Sequence, residues 1–487
     1  MRKSILLLFA AALALTPAAA QQVRYLDPQD VAQAQRENVQ FIAELGGAET
    51  GPRAAYVSSV GRKVAAFSGI ANPGQVLHFT TLNSAVENAF SVPGGYVYIT
   101  RQLMALMDDE SQLAFALGHE VGHIAANHAH EREEVERELA WRALPDILLG
   151  QMIGGGYGNE IAMRGALAAE LQTLSFSREQ EYEADTLGLR YMIAAGYDPA
   201  GAAQLLQTLA RETALEARVQ GRTNRRIPEW ASTHPLSENR MKRALLEARE
   251  TGRLGTGVRD RNAFLNELEG IYVDDDPAQG IIGGPVFTHP DLRIQFRVPT
   301  GYLMSNGTYA VTISGSAGKA QFSGGGYSGS LDGYIVKVFA ELTRGGAQLV
   351  IPRPTRTTIN DMPAEYTTAH FNTDSGTVDL TVVAYRWDPQ HVYHFVMLTP
   401  GGSGMGPFRS MVDSLRKISP KEAAAIRPRV IHVVTVGPGD TVQSLASRMA
   451  YRDLKIERFI TLNGITVDTK LAPGQRVKLV VYGARRS

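Results

Sequence analysis

The stretch Asp109-Glu-Ser-Gln-Leu-Ala-Phe-Ala-Leu-Gly-His-Glu-Val-Gly-His123 decides the fold of the chain's first half. Asp109 followed three residues later by Gln112 has the form of a capping box, which predicts a helix start just before the apolar residues. Leu113, Leu117, Val121 and Ile124 recur at helical spacing and predict one buried stripe. His119 and His123 stand one turn apart on a different face, a little over a third of a turn away at roughly 100° per residue. Two imidazoles so placed can share one cation. Glu120 between them completes the HExxH spacing, in which a carboxylate lies beside the water that the metal activates and takes its proton. The reading is a mainly α, zincin-type domain with one Zn2+ per chain, held by His119 and His123, and with Glu120 as the catalytic base.

A catalytic zinc takes three protein ligands and keeps a position for water. His128 and His130 are near but wrongly spaced for the third, and the metzincin pattern fails because Ala126 and Ala129 stand where Gly and His are required. A better source is Ser177-Arg-Glu-Gln-Glu-Tyr-Glu-Ala-Asp185. Ser177 and Gln180 can cap a second helix, with Asp185 one turn beyond Glu181 on the same face, where a carboxylate can orient a ligand histidine. Spacing alone leaves Glu179, Glu181 and Glu183 as alternatives.

Together, HEVGHIAANH (His119 to His128) and SREQEYEADTLGLRYMIAAGYDP (Ser177 to Pro199) resemble the HtpX-like, prenyl-endopeptidase-like zinc metallopeptidases of the gluzincin type, above all their soluble, BepA-like envelope members. The resemblance implies that Glu181 is the third ligand and that Asp185 is the aspartate of the family's ExxAD motif. The membrane branch of that family has spanning helices that no segment here supplies, so the soluble branch is implied. Asn88 to Thr100 is similar to the strand bordering the family's cleft, so Tyr96, Val97, Tyr98 and Ile99 are expected to bind extended substrate by strand addition; the alternative is a core hairpin. Ser232 to Arg240 resembles another family motif. His234 within it is expected to act in catalysis, stabilising the oxyanion or occupying the water position at rest, unless it merely opens a helix with Pro235 at the first position. Residues 144–171, containing Gly154-Gly-Gly-Tyr-Gly158, read either as a lid over the cleft or as a surface excursion.

Farther on, His432 to Ala446, Phe459 to Ile465 and Leu471 to Leu479 resemble a LysM domain of βααβ order within residues 430–483. The resemblance implies binding of the N-acetylglucosamine glycan of peptidoglycan, with Gly439, Asp440, Thr441, Asn463 and Gly464 bordering the groove; the alternative is a structural appendage. Residues 287–425 carry short alternating runs separated by glycine-rich turns, then a short amphipathic helix, and read as an α+β domain similar to small PsbP-like or Mog1-like sandwiches. Residues 21–265 read as the peptidase domain. Residues 266–286, with Asp274-Asp275-Asp276-Pro277, read as a surface linker.

Composition sets the surroundings. Met1-Arg2-Lys3, an apolar run from Ile5 to Leu15 and Ala18-Ala19-Ala20 make residues 1–20 a cleavable signal peptide, with no transmembrane segment expected once it is removed. The chain has no cysteine, so any metal sits on His, Asp or Glu. Its 49 basic and 49 acidic residues balance, which speaks against nucleic acid as a partner. The expected protein is a zinc endopeptidase of the periplasm or envelope of a Gram-negative bacterium, acting on unfolded or misassembled envelope proteins and docked on peptidoglycan. Two alternatives share these features: a peptidase of peptidoglycan cross-links, and a wall-anchored chaperone or scaffold with minor proteolysis.

Overall fold

The computed structural model describes residues 23–129, 176–219, 234, 238–342, 350–373 and 376–485. The expected signal peptide and the stretch 144–171 fall outside them. In chain order the first part comprises α1 (Pro28–Glu44), α2 (Pro52–Ala65), β1 (His78–Leu82), β2 (Ala89–Val92), β3 (Tyr96–Thr100), α3 (Arg101–Leu106) and α4 (Glu110–Ala126). Then follow α5 (Arg178–Ala194), α6 (Ala200–Val219), α7 (Glu238–Glu250) and α8 (Arg261–Leu268).

Asp109 caps α4 as its sequence predicts, accepting from the Gln112 N–H at 3.3 Å, but the Gln112 side chain turns to the N–H of Asp108 and no reciprocal box forms. The helix ends where Asn127 adopts a left-handed conformation (φ 60°), which asparagine tolerates. Its burial is wider than one stripe: every residue from Glu110 to His123 is buried. Packing of α2, α5, α6 and the small sheet around α4 makes it the axis of the domain. Polar residues on such a helix need internal partners, and Glu110 receives the hydroxyls of Tyr56 and Tyr197.

The small sheet has the order β1-β3-β2, with β3 parallel to β1 and antiparallel to β2. β3 is therefore central. Both of its edges are paired, and Tyr96 to Ile99 are 0–7 % exposed, so the expectation that this strand takes up substrate is corrected to the core-hairpin reading. The outer edge on that side belongs to β2.

Next come β4 (Tyr272–Val273) and the sheet domain: β5 (Ile281–Gly283), β6 (Val286–His289), β7 (Ile294–Arg297), β8 (Leu303–Asn306), β9 (Val311–Gly315), β10 (Gly318–Gly326), α9 (Leu331–Leu342), β11 (Thr355–Ile359), β12 (Met362–Thr373), β13 (Gly376–Asp388), β14 (His391–Pro400), α10 (Arg409–Ser414) and β15 (Arg416–Lys417). A seven-stranded antiparallel sheet of order β11-β12-β13-β14-β10-β9-β8 carries α9 on one face. Against its other face lie α10 and a four-stranded sheet, β15-β7-β6-β5, around Phe287, Phe296, Phe322 and Phe395.

The last unit, β16 (Arg429–Thr435), α11 (Val442–Ser447), α12 (Lys455–Leu462) and β17 (Arg476–Tyr482), has the βααβ order. It is not set apart by a surface linker. β16 also pairs with β4, and Ile271, Tyr272 and Val273 are 0–4 % exposed, which corrects the surface-linker reading at those three residues, while Gly283 to Pro285 of the same stretch are exposed. Glycine and aspartate there looked like loop composition, but the aspartates have partners: Arg429 pairs with Asp274, and Asn83 donates to Asp276. The fully buried Arg101 pins the same segment through the carbonyls of Tyr272 and Asp274. From the other side Lys478 on β17, also fully buried, donates to the carbonyls of Ala105 and Met107 at the end of α3, and burial pushes its pKa down to about 8. A single apolar core runs from Val57 through Ile271 to Val480.

None of the helices among the described residues is long and apolar enough to cross a membrane. Deleting residues 430–487 should expose Leu106, Ile271 and Val273, each worth about 1.5–3 kcal/mol when buried, and lower the thermal midpoint of the remaining chain by about 10 °C or more. A midpoint unchanged in calorimetry would contradict the shared core.

Candidate metal centre

Two helices must approach closely for the site to exist. A Cβ on Gly188 of α5 would lie 2.8 Å from the backbone nitrogen of His119, and Cβ atoms on Gly118 and Gly122 of α4 would lie 3.1 Å from the carbonyls of Gly188 and Ala184. The three glycines let α4 and α5 touch along their backbones. Ser177 and Gln180 form the reciprocal capping box that starts α5, which sets the phase of its first turns. That phase puts Glu181 and Asp185 inside, while Glu179 and Glu183 stay exposed.

His119 Nε2 and His123 Nε2 lie 3.0 Å apart. Glu181 reaches both, with Oε2 3.7 Å from His119 Nε2 and Oε1 3.5 Å from His123 Nε2. His234 joins them: its Nδ1 is 3.2 Å from His119 Nε2 and 2.9 Å from Glu181 Oε1. One ligand-type atom from each of the four residues lies within 4.8 Å of the others, and all four residues are buried. Asp185 Oδ1 is 3.0 Å from His119 Nδ1, a carboxylate so placed that it favours the proton there and leaves the Nε2 lone pair facing the cluster. Burial holds His123 well below the usual imidazole pKa, in the neutral form that ligates.

Glu120 is fully buried beside the cluster. Its Oε2 accepts from Ser91 Oγ on β2 at 3.1 Å; its Oε1 has no hydrogen-bond partner among the described residues and lies 3.5 Å from His234 Nε2. Ser91 was not legible from spacing, since only the sheet's folding brings it under α4. Nor was Arg240, although it ends the motif that singled out His234. Its guanidinium grips Asp185 through two hydrogen bonds of 2.8 and 2.7 Å and also contacts Glu181. Burial alone would raise the Glu181 carboxyl, but His234 and Arg240 beside it hold it well below the usual carboxylate range, and Arg240 lowers Asp185 against the same effect of burial.

The donor set fits a divalent cation. Bonds of about 2.0–2.2 Å to a tetrahedral zinc separate neighbouring donors by roughly 3.3–3.6 Å, close to the spacings here. Charge points the same way: Glu120, Glu181 and Asp185 are buried together against one buried arginine, an excess of negative charge that a divalent ion would offset.

At the other expected site, Gly439 is exposed and Thr441 caps α11, but Asn463 and Gly464 do not border an open groove together. Asn463 is 4 % exposed and its amide is used on Phe459 and on both backbone groups of Lys478, while a Cβ on Gly464 would meet Asp108 of the first domain. The Asn463 bonds belong to the unit's own fold, linking α12 to β17, whereas the Asp108 contact arises where the unit docks on the first domain.

Comparison with known proteins places these features. The profile of Peptidase family M48 matches residues 52–248, and that of the LysM domain matches residues 434–480. Over 192 residues the chain is 33 % identical to the β-barrel assembly-enhancing protease of Escherichia coli strain K12, covering 38 % of this chain and 37 % of that protein. It is 30 % identical over 186 residues to the mitochondrial metalloendopeptidase OMA1 of Arabidopsis thaliana, covering 36 % and 34 %. The chain thus spans little more than a third of the length of these relatives. Residues 52–248 form a metallopeptidase domain of the M48 type, similar to that of the assembly-enhancing proteases, and residues 434–480 form a LysM domain.

Replacing Arg240 with Met should lower the unfolding free energy by about 3–5 kcal/mol in urea titrations, because Glu181 and Asp185 would be left buried against each other. A loss below about 1 kcal/mol would show that the arginine does not hold the site together.

Proposed function

We propose that this chain is a zinc-dependent endopeptidase of the bacterial cell envelope that cleaves extended segments of misfolded or misassembled envelope proteins while docked on peptidoglycan. The observation that carries the reading is the convergence of His119, His123 and Glu181 beside the buried Glu120. When bound there, zinc supplies a Lewis acid that acidifies water to a pKa of about 7 and polarises a carbonyl. Glu120 accepts the proton of the attacking water at Oε1, the oxygen not used by Ser91, and returns it to the leaving amine. Asp185 and Arg240 keep His119 in its ligating tautomer.

His234 takes two positions in this account. With its Nδ1 beside His119 Nε2 and Glu181 Oε1, it would serve as a fourth protein donor to a bound zinc and hold the site at rest. Turned away, it faces the oxyanion of the tetrahedral intermediate. Substrate in extended form pairs with the outer edge of β2, beside a cleft of about 780 Å³ whose wall includes Ser91, Val92, His123 and Phe176.

The relatives named for β-barrel assembly support envelope proteins as substrates, and the LysM domain supports a glycan partner. Gly439 and Thr441 are exposed and Asp440 between them is half-buried, so this loop is the part of the expected glycan site left at the surface. Residues 1–20 support export to the periplasm.

Replacing Glu120 with Gln should leave zinc content unchanged and lower the rate of casein cleavage by about 10²- to 10⁴-fold; turnover near wild type would contradict the assignment. Purified sacculi should retain the full chain, and soluble N-acetylglucosamine oligomers should release it. Retention indifferent to those oligomers would argue against docking through the LysM domain.

A further inference from the structure

We propose that His128 is the positioning residue for His123, fixing the tautomer and ring orientation in which His123 offers Nε2 to the metal. The inference rests on the zinc reading above and concerns a residue whose spacing excludes it as a ligand. Each ligand imidazole has a second nitrogen that must go somewhere. For His119 the partner is Asp185; for His123 it is His128, with the two Nδ1 atoms 2.9 Å apart.

Chemistry sets the direction of that bond. An imidazole that presents its Nε2 lone pair to a cation carries its proton on Nδ1. His123 Nδ1 therefore donates, and His128 Nδ1 accepts. The proton of His128 then sits on Nε2, which faces Glu183 Oε2 at 3.4 Å, and Glu183 is exposed. Thus the chain His123, His128, Glu183 runs from the buried cluster to the surface with one donor and one acceptor at each step.

Local folding explains how a residue five places after His123 comes to lie behind its ring. Asn127 turns left-handed at the end of α4, and this reversal folds His128 back onto the last turn instead of continuing the helix. His128 is 1 % exposed. Phe176 stacks on the His123 ring at 3.7 Å between centroids and 18° between planes. Stacking fixes the plane of the ring, and the bond to His128 fixes its rotation within that plane. The two ligand histidines are consequently held by different chemistry, one by an arginine-gripped carboxylate and the other by a neutral imidazole.

Three substitutions separate this role from packing. In His128→Asn the side-chain oxygen falls near the place of Nδ1 and can still accept; in His128→Gln the amide reaches toward the place of Nε2; His128→Leu removes the acceptor. Zinc affinity of the full chain, measured by competition with a chromophoric chelator, should fall about 10- to 100-fold in the Leu and Gln variants and stay near wild type in the Asn variant. Thermal midpoints of the metal-free proteins should not follow that order. Equal affinities for the Asn and Gln variants would overturn the proposal, as would a Leu variant that binds zinc like wild type. Should the Leu variant not fold, the contrast between Asn and Gln decides. A wild-type chain that binds no zinc would instead defeat the metal-centre reading itself.

Discussion

The contact between α4 and α5 at Gly118, Gly122 and Gly188 is the constraint on which the rest of the first domain depends. A side chain at any of the three would push against a neighbouring backbone, and a separation of even a few tenths of an ångström would carry Glu181 away from the two imidazoles. Once the helices touch, the consequences are electrostatic. Three carboxylates and four histidines are buried in one place, and such groups stay buried only when paired or when bound to a cation. Arg240 supplies part of that compensation, and a divalent ion held by the cluster would supply more.

Around this pair the chain wraps further than a peptidase domain with a tethered accessory would require. The LysM unit contributes β16 to a sheet with β4 and drives Lys478 under the end of α3, one turn upstream of the residue that caps α4. α3 itself leads directly from β3, whose neighbour β2 holds Ser91 against Glu120. Any surface held by the LysM domain is therefore held at a fixed attitude to the cleft. The unit's own fold uses up Asn463, whose amide bonds Phe459 and Lys478, while docking brings Asp108 against one side of the exposed Gly464.

Legibility in the sequence followed distance along the chain. His119, Glu120 and His123 lie within five residues on one helix, so periodicity alone places them together. Glu181 and Asp185 needed the family resemblance to separate them from Glu179 and Glu183, because the choice among four acidic residues depends on the phase of α5 against α4. Ser91, Arg240 and the role of His128 were hidden, since each depends on a contact that only the assembled fold creates. The misreading of Tyr96 to Ile99 has a topological cause: alternation and β-branched content identify a strand, but whether it is an edge or a centre depends on strand order. Residues 271–273 were misread because their acidic and glycine-rich neighbours have the composition of a loop, while the compensating cations Arg101 and Arg429 are far away in sequence.

The central claim is a single zinc ion gripped by two imidazoles of one helix and a carboxylate of the next. X-ray absorption spectroscopy of the purified full chain, isolated from zinc-replete cells, tests it most directly. One zinc per chain should appear, with imidazole nitrogens at about 2.0–2.1 Å and a carboxylate oxygen at about 2.0–2.2 Å. A chain that carries no zinc, or zinc whose ligand shell lacks imidazole, would contradict the account.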